Sequence, residues 1–252
     1  MGLREMKQSL EPDVRCIVRI YKPLSALTRI RAQFGLFQGA SLAPKLGRCW
    51  KFRNRPVEVL SVIVIGQTGY GKSSVLNTLI GEAVFERDDV EACTKVIQSA
   101  DFYLKSGVIQ TQLSFTDLPG VGESVAIDET YKEMYRKALV AADCVVYVLR
   151  ADKRDYALDL ELFDEMLRIF VAGGTLLVAL NFVDRMPPVD PERPLFSSPT
   201  QLENLRRKID DISNRFGAPG ESVIPVSALT GYGVDQLAGR ISGILQSQIS
   251  SY

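Results

Sequence analysis

The chain has 252 residues, of which 46% are hydrophobic and 24% are charged, a composition that suits one α/β domain with an extension. Its 30 Lys or Arg balance 30 Asp or Glu, and the absence of His excludes mechanisms that use an imidazole base. No apolar run reaches the roughly 18 to 20 residues that span a bilayer, and no secretory signal pattern is present. We therefore expect a cytoplasmic protein, with peripheral attachment to a membrane left open.

The balanced total charge hides a basic N-terminal part. The first 57 residues contain twelve Lys or Arg against three Asp or Glu, so the remainder is acidic to the same degree. We expect a basic N-terminal extension at 1–56, predicted to be helical because apolar residues in 24–34 would line one helix face, and a single domain at 57–252. The extension could contact ribosomal RNA or an anionic membrane surface, or dock on its own domain.

From residue 57 onward, apolar runs typical of strands alternate with longer amphipathic stretches, which indicates a sheet covered by helices on both faces. Six strands are predicted, at 57–65, 97–104, 108–116, 144–149, 175–180 and 223–226. Five helices are predicted, at 72–79, 129–142, 157–170, 200–215 and 234–247. The second and third strands are separated by too few residues for a helical crossover, so we expect them to form an antiparallel hairpin in a mostly parallel sheet.

The clearest motif is a glycine-rich run between the first predicted strand and the first predicted helix, which matches the Walker A pattern. Its glycines let backbone N–H groups point at phosphate oxygens, and the helix adds its positive dipole end. Lys72 would reach the β- and γ-phosphates, and the Ser73 hydroxyl would bind Mg²⁺. The base stays open, because ATPases use the same loop. The residues expected to contact the nucleotide here are Gln67, Thr68, Gly69, Tyr70, Gly71, Lys72, Ser73 and Ser74.

Two further elements are expected near the γ-phosphate. An Asp-x-x-Gly element follows the third predicted strand: the Asp117 carboxylate can hold a water of Mg²⁺, and the Gly120 N–H can contact the γ-phosphate and move when it leaves. Thr94 is the candidate that completes the Mg²⁺ shell and senses the γ-phosphate, with an ordinary loop threonine as an equal alternative. The expected metal ligands are Ser73, Thr94 and Asp117. The residues expected to act in hydrolysis are Lys72, Thr94 and Gly120.

Two later elements, each directly after a predicted strand, are expected to read the base. The Asp184 carboxylate can accept two hydrogen bonds from guanine N1 and N2, a pattern that adenine does not offer. The backbone N–H of Ala228 could meet guanine O6. We therefore expect GTP or GDP as the ligand, since an ATPase or kinase would require both elements to be coincidences. The residues expected at the base are Asn181, Phe182, Asp184, Arg185, Ser227, Ala228 and Leu229.

On these motifs the chain resembles the small Ras-like GTPases of the translation-factor class, and within them the Era/TrmE-type bacterial proteins. The stretches at 89–94 and 117–124 look closest to the YfjP-like branch. The resemblance covers about 57–245. It implies a Ras-like P-loop fold whose six-stranded, mostly parallel sheet has one antiparallel edge strand, and a Mg²⁺-dependent molecular switch that hydrolyses GTP to GDP and phosphate.

Three positions depart from that family. Val121 stands where Ras has a glutamine that orients the attacking water, so intrinsic turnover should be slow. Gly69 stands where many Era/TrmE-type proteins have an asparagine that helps to hold an activating K⁺. Phe182 replaces a lysine whose ammonium stabilises the P-loop; phenylalanine could stack on the base but could not supply that charge. We expect guanine selectivity to survive through Asp184.

The glycine-rich loop also resembles those of septin-like and immunity-associated GTPases, some of which pair across their nucleotide faces. A homodimer of this kind could supply a missing catalytic charge from Lys153 or Arg154, although solvated surface charges are the favoured interpretation of both. The alternative function is therefore a nucleotide-dependent oligomerising scaffold with little turnover. Val121 permits it, whereas the complete set of phosphate and Mg²⁺ residues argues against it.

Overall fold

The structure, a computed structural model, describes residues 18–23, 50–52, 55–85, 97–106, 109–120, 129–189, 195–196 and 198–250. The strands in this part of the chain are β1 (Val18–Pro23), β2 (Trp50–Phe52), β3 (Arg55–Ile65), β4 (Gln98–Ser106), β5 (Ile109–Asp117), β6 (Cys144–Arg150), β7 (Leu176–Asn181) and β8 (Val223–Pro225). The helices are α1 (Lys72–Ile80), α2 (Glu129–Val140), α3 (Ala157–Met166), α4 (Arg168–Ala172), α5 (Pro199–Phe216) and α6 (Val234–Ser250). Short 3₁₀ helices lie at Val183–Arg185 and Gly220–Ser222.

The strands form one sheet in the order β1-β4-β5-β3-β6-β7-β8, and β2 pairs with the start of β3. The six strands predicted from the sequence are β3 to β8. Five of them are parallel neighbours, and β4 runs antiparallel to β5 at their edge, so the predicted sheet and hairpin are confirmed. Two strands were not predicted: β1 adds a parallel strand outside β4, and β2 is antiparallel to β3.

The described parts of the N-terminal extension are strands, where a helix was expected. Residues 18–23 pair with β4, and residues 50–52 pair with β3, so backbone hydrogen bonds to the sheet hold both segments extended. The predicted helix in 24–34 lies outside the described residues. The expected boundary after residue 56 falls inside β3, which begins at Arg55. The division into two domains stays a prediction.

Strands β6 and β7 form the centre of the core, and nearly all of their residues are buried. Such continuous apolar runs are typical of parallel strands that helices cover on both faces. An aromatic cluster packs α3 and α5 on this sheet, with the rings of Phe163 and Phe216 5.0 Å apart and both near Tyr147. The helix predicted at 157–170 is two helices, α3 and α4, on either side of Leu167. None of the described helices is long and apolar enough to cross a membrane.

The fold brings the predicted motifs to one edge of the sheet. Strands β3, β5, β7 and β8 are parallel, so the loops that follow them leave from the same side. Each of these four loops carries one of the motifs found in the sequence, and ligands of open α/β sheets bind at this edge.

Candidate nucleotide-binding site

The phosphate loop, residues 66–73, connects β3 to α1. Gly71, directly before α1, has a φ of 79°, a left-handed conformation that favours glycine. A Cβ atom at this position would lie 2.6 Å from the side-chain nitrogen of Asn181, so a larger residue does not fit. The first turn of α1 contains no acidic residue, and its unpaired N–H groups are suited to an anion.

Lys72 lies within this loop and is 6% exposed. Its ammonium donates a hydrogen bond of 3.3 Å to the Gln67 carbonyl. Burial lowers the pKa of Lys72, and the nearby Asp117 carboxylate raises it. An ammonium has three donors to satisfy, and phosphate oxygens are suitable acceptors for the others.

Asp117 and Ser73 fit a Mg²⁺ ion. Asp117 is fully buried and accepts a hydrogen bond of 2.5 Å from the Ser73 hydroxyl, while its Oδ1 has no hydrogen-bond partner among the described residues. Burial raises the pKa of Asp117 to about 6, although Lys72 and the Ser73 hydrogen bond lower it. A buried carboxylate oxygen without a partner, beside a hydroxyl, suits a cation that prefers oxygen ligands. Thr94, the third predicted ligand, lies outside the described residues.

The Asp-x-x-Gly element packs directly on the phosphate loop. A Cβ atom at Gly120 would lie 2.6 Å from the Thr68 nitrogen, so the two backbones touch only because this residue is glycine. The hydroxyl of Tyr135, in α2, donates a hydrogen bond to the Pro119 carbonyl and fixes the element. The sequence analysis did not identify Tyr135. The contact of Gly120 with a γ-phosphate stays a prediction.

Asn181 joins the phosphate loop to the second base-reading element. Its side-chain nitrogen donates to the Tyr70 carbonyl at 3.0 Å, and its side-chain oxygen accepts from the Ala228 N–H at 3.1 Å. The side chain is buried, so it acts as a link between two loops. The Ala228 N–H was expected to donate to guanine O6. Because it already donates to Asn181, it would have to share its hydrogen between Asn181 and the base.

The other predicted base residues lie on the same two loops. Asp184 is half-buried, and no hydrogen bond or ion pair of its carboxylate occurs within the described part of the chain, so it can accept bonds from a ligand. Ser227 is fully buried and its hydroxyl accepts from the Thr230 N–H, which shapes the loop. Leu229 is 84% exposed, and its contact with the nucleotide stays a prediction.

Phe182 packs beside the phosphate loop between charged groups. Its ring carbons come within 3.6 Å of the position of a Gly71 Cβ atom. The guanidinium carbons of Arg150 and Arg185 lie 4.4 Å and 4.7 Å from the ring centroid, within cation–π range. Asp152 holds the Arg150 guanidinium through two hydrogen bonds of 2.9 Å and 2.6 Å. The ring therefore lies beside the phosphate loop without supplying a charge to it, and its stacking on the base stays a prediction.

Lys153 contacts the phosphate loop of its own chain, which the sequence analysis did not foresee. Its ammonium lies 2.5 Å from the Tyr70 hydroxyl and 3.1 Å from the side-chain oxygen of Gln67. The Tyr70 hydroxyl in turn donates to the buried Asp159 carboxylate at 2.8 Å. These contacts contradict the earlier interpretation of Lys153 as a solvated surface charge. Donation of a charge across a dimer stays a prediction, and Arg154 is exposed.

A sequence signal for Asp159 existed. Asp159 lies in the predicted helix, and the residues three, four and seven positions after it are apolar and buried. A carboxylate on such an apolar helix face indicates a buried polar contact. Lys153 carries no comparable signal, because its partners are about eighty residues away in the chain.

A mostly parallel sheet with a glycine-rich loop entering a helix, a buried lysine and a Ser–Asp pair define a P-loop nucleotide-binding domain of the Ras-like type. Residues 61–181 match the family described as 50S ribosome-binding GTPase. The proteins YkfA and YfjP of Escherichia coli (strain K12) are each 31% identical to the chain over 188 residues. The chain therefore carries a GTPase domain of the translation-factor-like bacterial class, as its motifs indicated.

The matched region is 75% of this chain but 63% of YkfA and of YfjP, so the chain spans less than two thirds of these relatives. Solved structures share the fold. Era of Aquifex aeolicus bound to GDP.AlF4- superimposes with a TM-score of 0.58 at 22% identity, covering 75% of this chain and 56% of Era. Toc33 of Arabidopsis thaliana in complex with Mg²⁺ and GMPPNP gives 0.55 at 18% identity, covering 88% and 92%.

Proposed function

We propose that the protein is a Mg²⁺-dependent molecular switch that binds GTP and hydrolyses it slowly to GDP and phosphate. One observation carries the proposal: the Asp117 carboxylate, fully buried and with one oxygen lacking a partner among the described residues, lies beside the Ser73 hydroxyl and the buried Lys72 ammonium. A site for a metal–phosphate complex accounts for these three groups together.

Each group has a defined task at the phosphates. Ser73 and Asp117 would hold Mg²⁺, which when bound neutralises phosphate charge and orients the terminal phosphate. Lys72 would donate to the β- and γ-phosphate oxygens. The Gly120 N–H would report whether the γ-phosphate is present, which couples hydrolysis to a movement of the loop after β5. Slow turnover follows from Val121, because an apolar side chain cannot orient the attacking water.

Guanine selectivity would come from Asp184, which can accept hydrogen bonds from the guanine edge. The complexes of Era with GDP.AlF4- and of Toc33 with GMPPNP support guanine as the base. An adenine base offers no matching pair of donors, so the carboxylate would stay unpaired against ADP.

Isothermal titration with GDP and ADP tests the base assignment. The wild-type protein should bind GDP at least about 100-fold more tightly than ADP. Asp184→Ala should weaken GDP binding by about 10- to 100-fold, since a hydrogen bond to a charged group is lost. Asp210→Ala, on the exposed face of α5, removes the same charge elsewhere and should bind GDP like the wild type. Equal affinities for GDP and ADP would refute guanine selectivity.

Release of phosphate from GTP tests the enzymatic part. The rate should be low, should require Mg²⁺ and should vanish in Lys72→Ala. Measuring the rate per mole across protein concentrations separates the switch from an oligomerising scaffold: a flat rate supports a monomeric switch. A rate that rises with concentration, together with a larger species in sedimentation, would favour the homodimer instead. The same assay with and without K⁺ tests the expected consequence of Gly69.

For the cellular partner we propose ribosomal RNA, contacted by the basic extension of a cytoplasmic protein. Support comes from the positive charge of 1–56 and from the solved complex of Era with nucleotides of 16S ribosomal RNA. Because β1 and β2 belong to the sheet, truncation would remove strands, and charge variants are the cleaner test. Replacing Arg29, Arg31, Lys45 and Arg48 by Gln should reduce co-sedimentation with ribosomes. Unchanged sedimentation, or loss of binding to anionic liposomes only, would contradict the proposal.

A further inference from the structure

A chain of hydrogen bonds joins the phosphate loop to the segment between β6 and α3. An ammonium only donates and a carboxylate only accepts, so the Tyr70 hydroxyl accepts from Lys153 and donates to Asp159. The second oxygen of Asp159 accepts from the Tyr147 hydroxyl at 2.9 Å, so both carboxylate oxygens are engaged. The Lys153 and Asp159 charges are 4.0 Å apart.

The same ammonium reaches a second residue of the phosphate loop, the side-chain oxygen of Gln67 at 3.1 Å. Gln67 and Tyr70 are the first and last residues of a turn in which the Tyr70 N–H donates to the Gln67 carbonyl at 3.3 Å, and both side chains are buried. The segment that bears Lys153 is itself fixed, because Lys208 donates to the Lys153 carbonyl at 2.6 Å and lies 4.6 Å from the Tyr156 ring centroid. The Lys153 ammonium therefore contacts two residues of the phosphate loop, and the segment that bears Lys153 is itself held in place by Lys208.

This arrangement compensates for a departure noted above. In the resembling family a lysine at the position of Phe182 places its ammonium against the P-loop, and phenylalanine cannot do so. Here Lys153 places an ammonium against two residues of that loop from a different segment. Its side chain is 34% exposed, whereas Asp159 is fully buried, so the charge pair is largely shielded from solvent.

We propose that Lys153, acting with Asp159 through Gln67 and Tyr70, is a positioning residue that keeps the phosphate loop in its nucleotide-binding conformation. The inference rests on the proposed binding of a guanine nucleotide. Loss of the ammonium should loosen the part of the loop that contacts phosphates and leave the base-reading loops unchanged. The affinity for GDP should then fall while the affinity for guanosine, which has no phosphate, should not.

The test measures release of a fluorescent GDP analogue by stopped flow and competition by GDP and by guanosine. Lys153→Met removes the charge and keeps the aliphatic chain; it should accelerate release about tenfold, as expected for a lost charge-assisted hydrogen bond. Lys153→Arg should restore most of the wild-type rate. Arg206→Met, an exposed cation on α5, is the matched control and should change the rate less than about twofold. Guanosine competition should be the same in all variants.

A double-mutant cycle with Tyr70→Phe tests the pathway. Tyr70→Phe removes only the hydroxyl and serves if Lys153→Met folds poorly, as checked by circular dichroism. The double variant should release GDP no faster than Lys153→Met alone, because both changes break one chain of hydrogen bonds. Additive effects, equal losses for GDP and guanosine, or unchanged release in Lys153→Met would overturn the inference. Absence of GDP binding by the wild-type protein would overturn the proposed function as well.

Discussion

Replacing Asn181 by Ala should uncouple the two loops that Asn181 now links. The side chain satisfies the Tyr70 carbonyl and the Ala228 N–H, and it is 1% exposed. Truncation leaves both backbone groups without a partner in the interior, at about 1–3 kcal/mol for each unsatisfied group. Some relaxation and entry of water would recover part of this, so we expect the free energy of unfolding to fall by about 3 kcal/mol.

The chain contains a matched control for Asn181. Gln201 is also a buried amide that joins two backbone groups, donating to the Met186 carbonyl at 3.0 Å and accepting from the Phe196 N–H at 2.8 Å. Gln201→Ala should therefore cost similar stability, but neither of the residues that Gln201 joins, Met186 and Phe196, belongs to the phosphate loop.

Urea denaturation of both variants, with an unchanged m value, gives the stability loss, and calorimetry gives the affinity for GDP. We expect Asn181→Ala to weaken GDP binding at least about tenfold and Gln201→Ala to leave it within about threefold, since tenfold corresponds to about 1.4 kcal/mol. The reasoning would be refuted if both variants lost the same affinity, or if Asn181→Ala lost none.

Three further outcomes are expected. Gly71→Ala should lower the free energy of unfolding by about 2–3 kcal/mol in urea denaturation, through a positive φ and a close amide nitrogen, whereas Gly81→Ala, with a similar φ and open space, should cost only about 1 kcal/mol. Without nucleotide or Mg²⁺, Asp117 should lower the free energy of unfolding by about 3 kcal/mol as pH rises from below 3.8 to above 6, because its folded pKa lies above the unfolded value; in urea denaturation repeated across that range, Asp117→Asn should remove this contribution. Tyr135→Phe should cost about 1–2 kcal/mol in the same assay, because a buried carbonyl loses its hydroxyl donor.

The sequence predicted the six strands β3 to β8 and the phosphate loop because their signals are local. An apolar run such as 144–149 and a glycine-rich turn between strand and helix can each be recognised within ten residues. Helix α5 begins at Pro199 and ends before Gly217, which agrees with the prediction to within one residue, since proline favours the first helical position and glycine the end.

Strands β1 and β2 illustrate where local signals fail. The partner of β1 is β4, about eighty residues further along the chain, and pairing between such distant segments has no local signature. For β2, a signal was present: two residues separate it from β3, a length typical of a hairpin. Its short span of three residues, within a segment interpreted as helical, concealed it.

The candidate site was predicted as a set of motifs, but the contacts among them depend on the fold. Asn181 was assigned to the base by its position in a motif. The structure shows that its side chain also bonds to Tyr70 of the phosphate loop, 111 residues earlier in the chain. Lys153 was weighed as a surface charge, because nothing in the sequence relates it to Tyr70, 83 residues earlier. Residue type and order thus predict a ligand, whereas the way the loops are held follows only from tertiary structure.

On the proposed function, holding the nucleotide and cleaving it would depend on different parts of this chain. The groups that hold the phosphate loop, Asn181 and the Lys153–Tyr70–Asp159 contacts, come from β7 and from the segment around the start of α3, whose strands and helices are packed in the core. Attack on the γ-phosphate would depend instead on the loop after Gly120, where Val121 supplies no polar group. Changes at the linking residues should therefore alter nucleotide release more than the rate of the chemical step, which single-turnover measurements on a preformed GTP complex can separate.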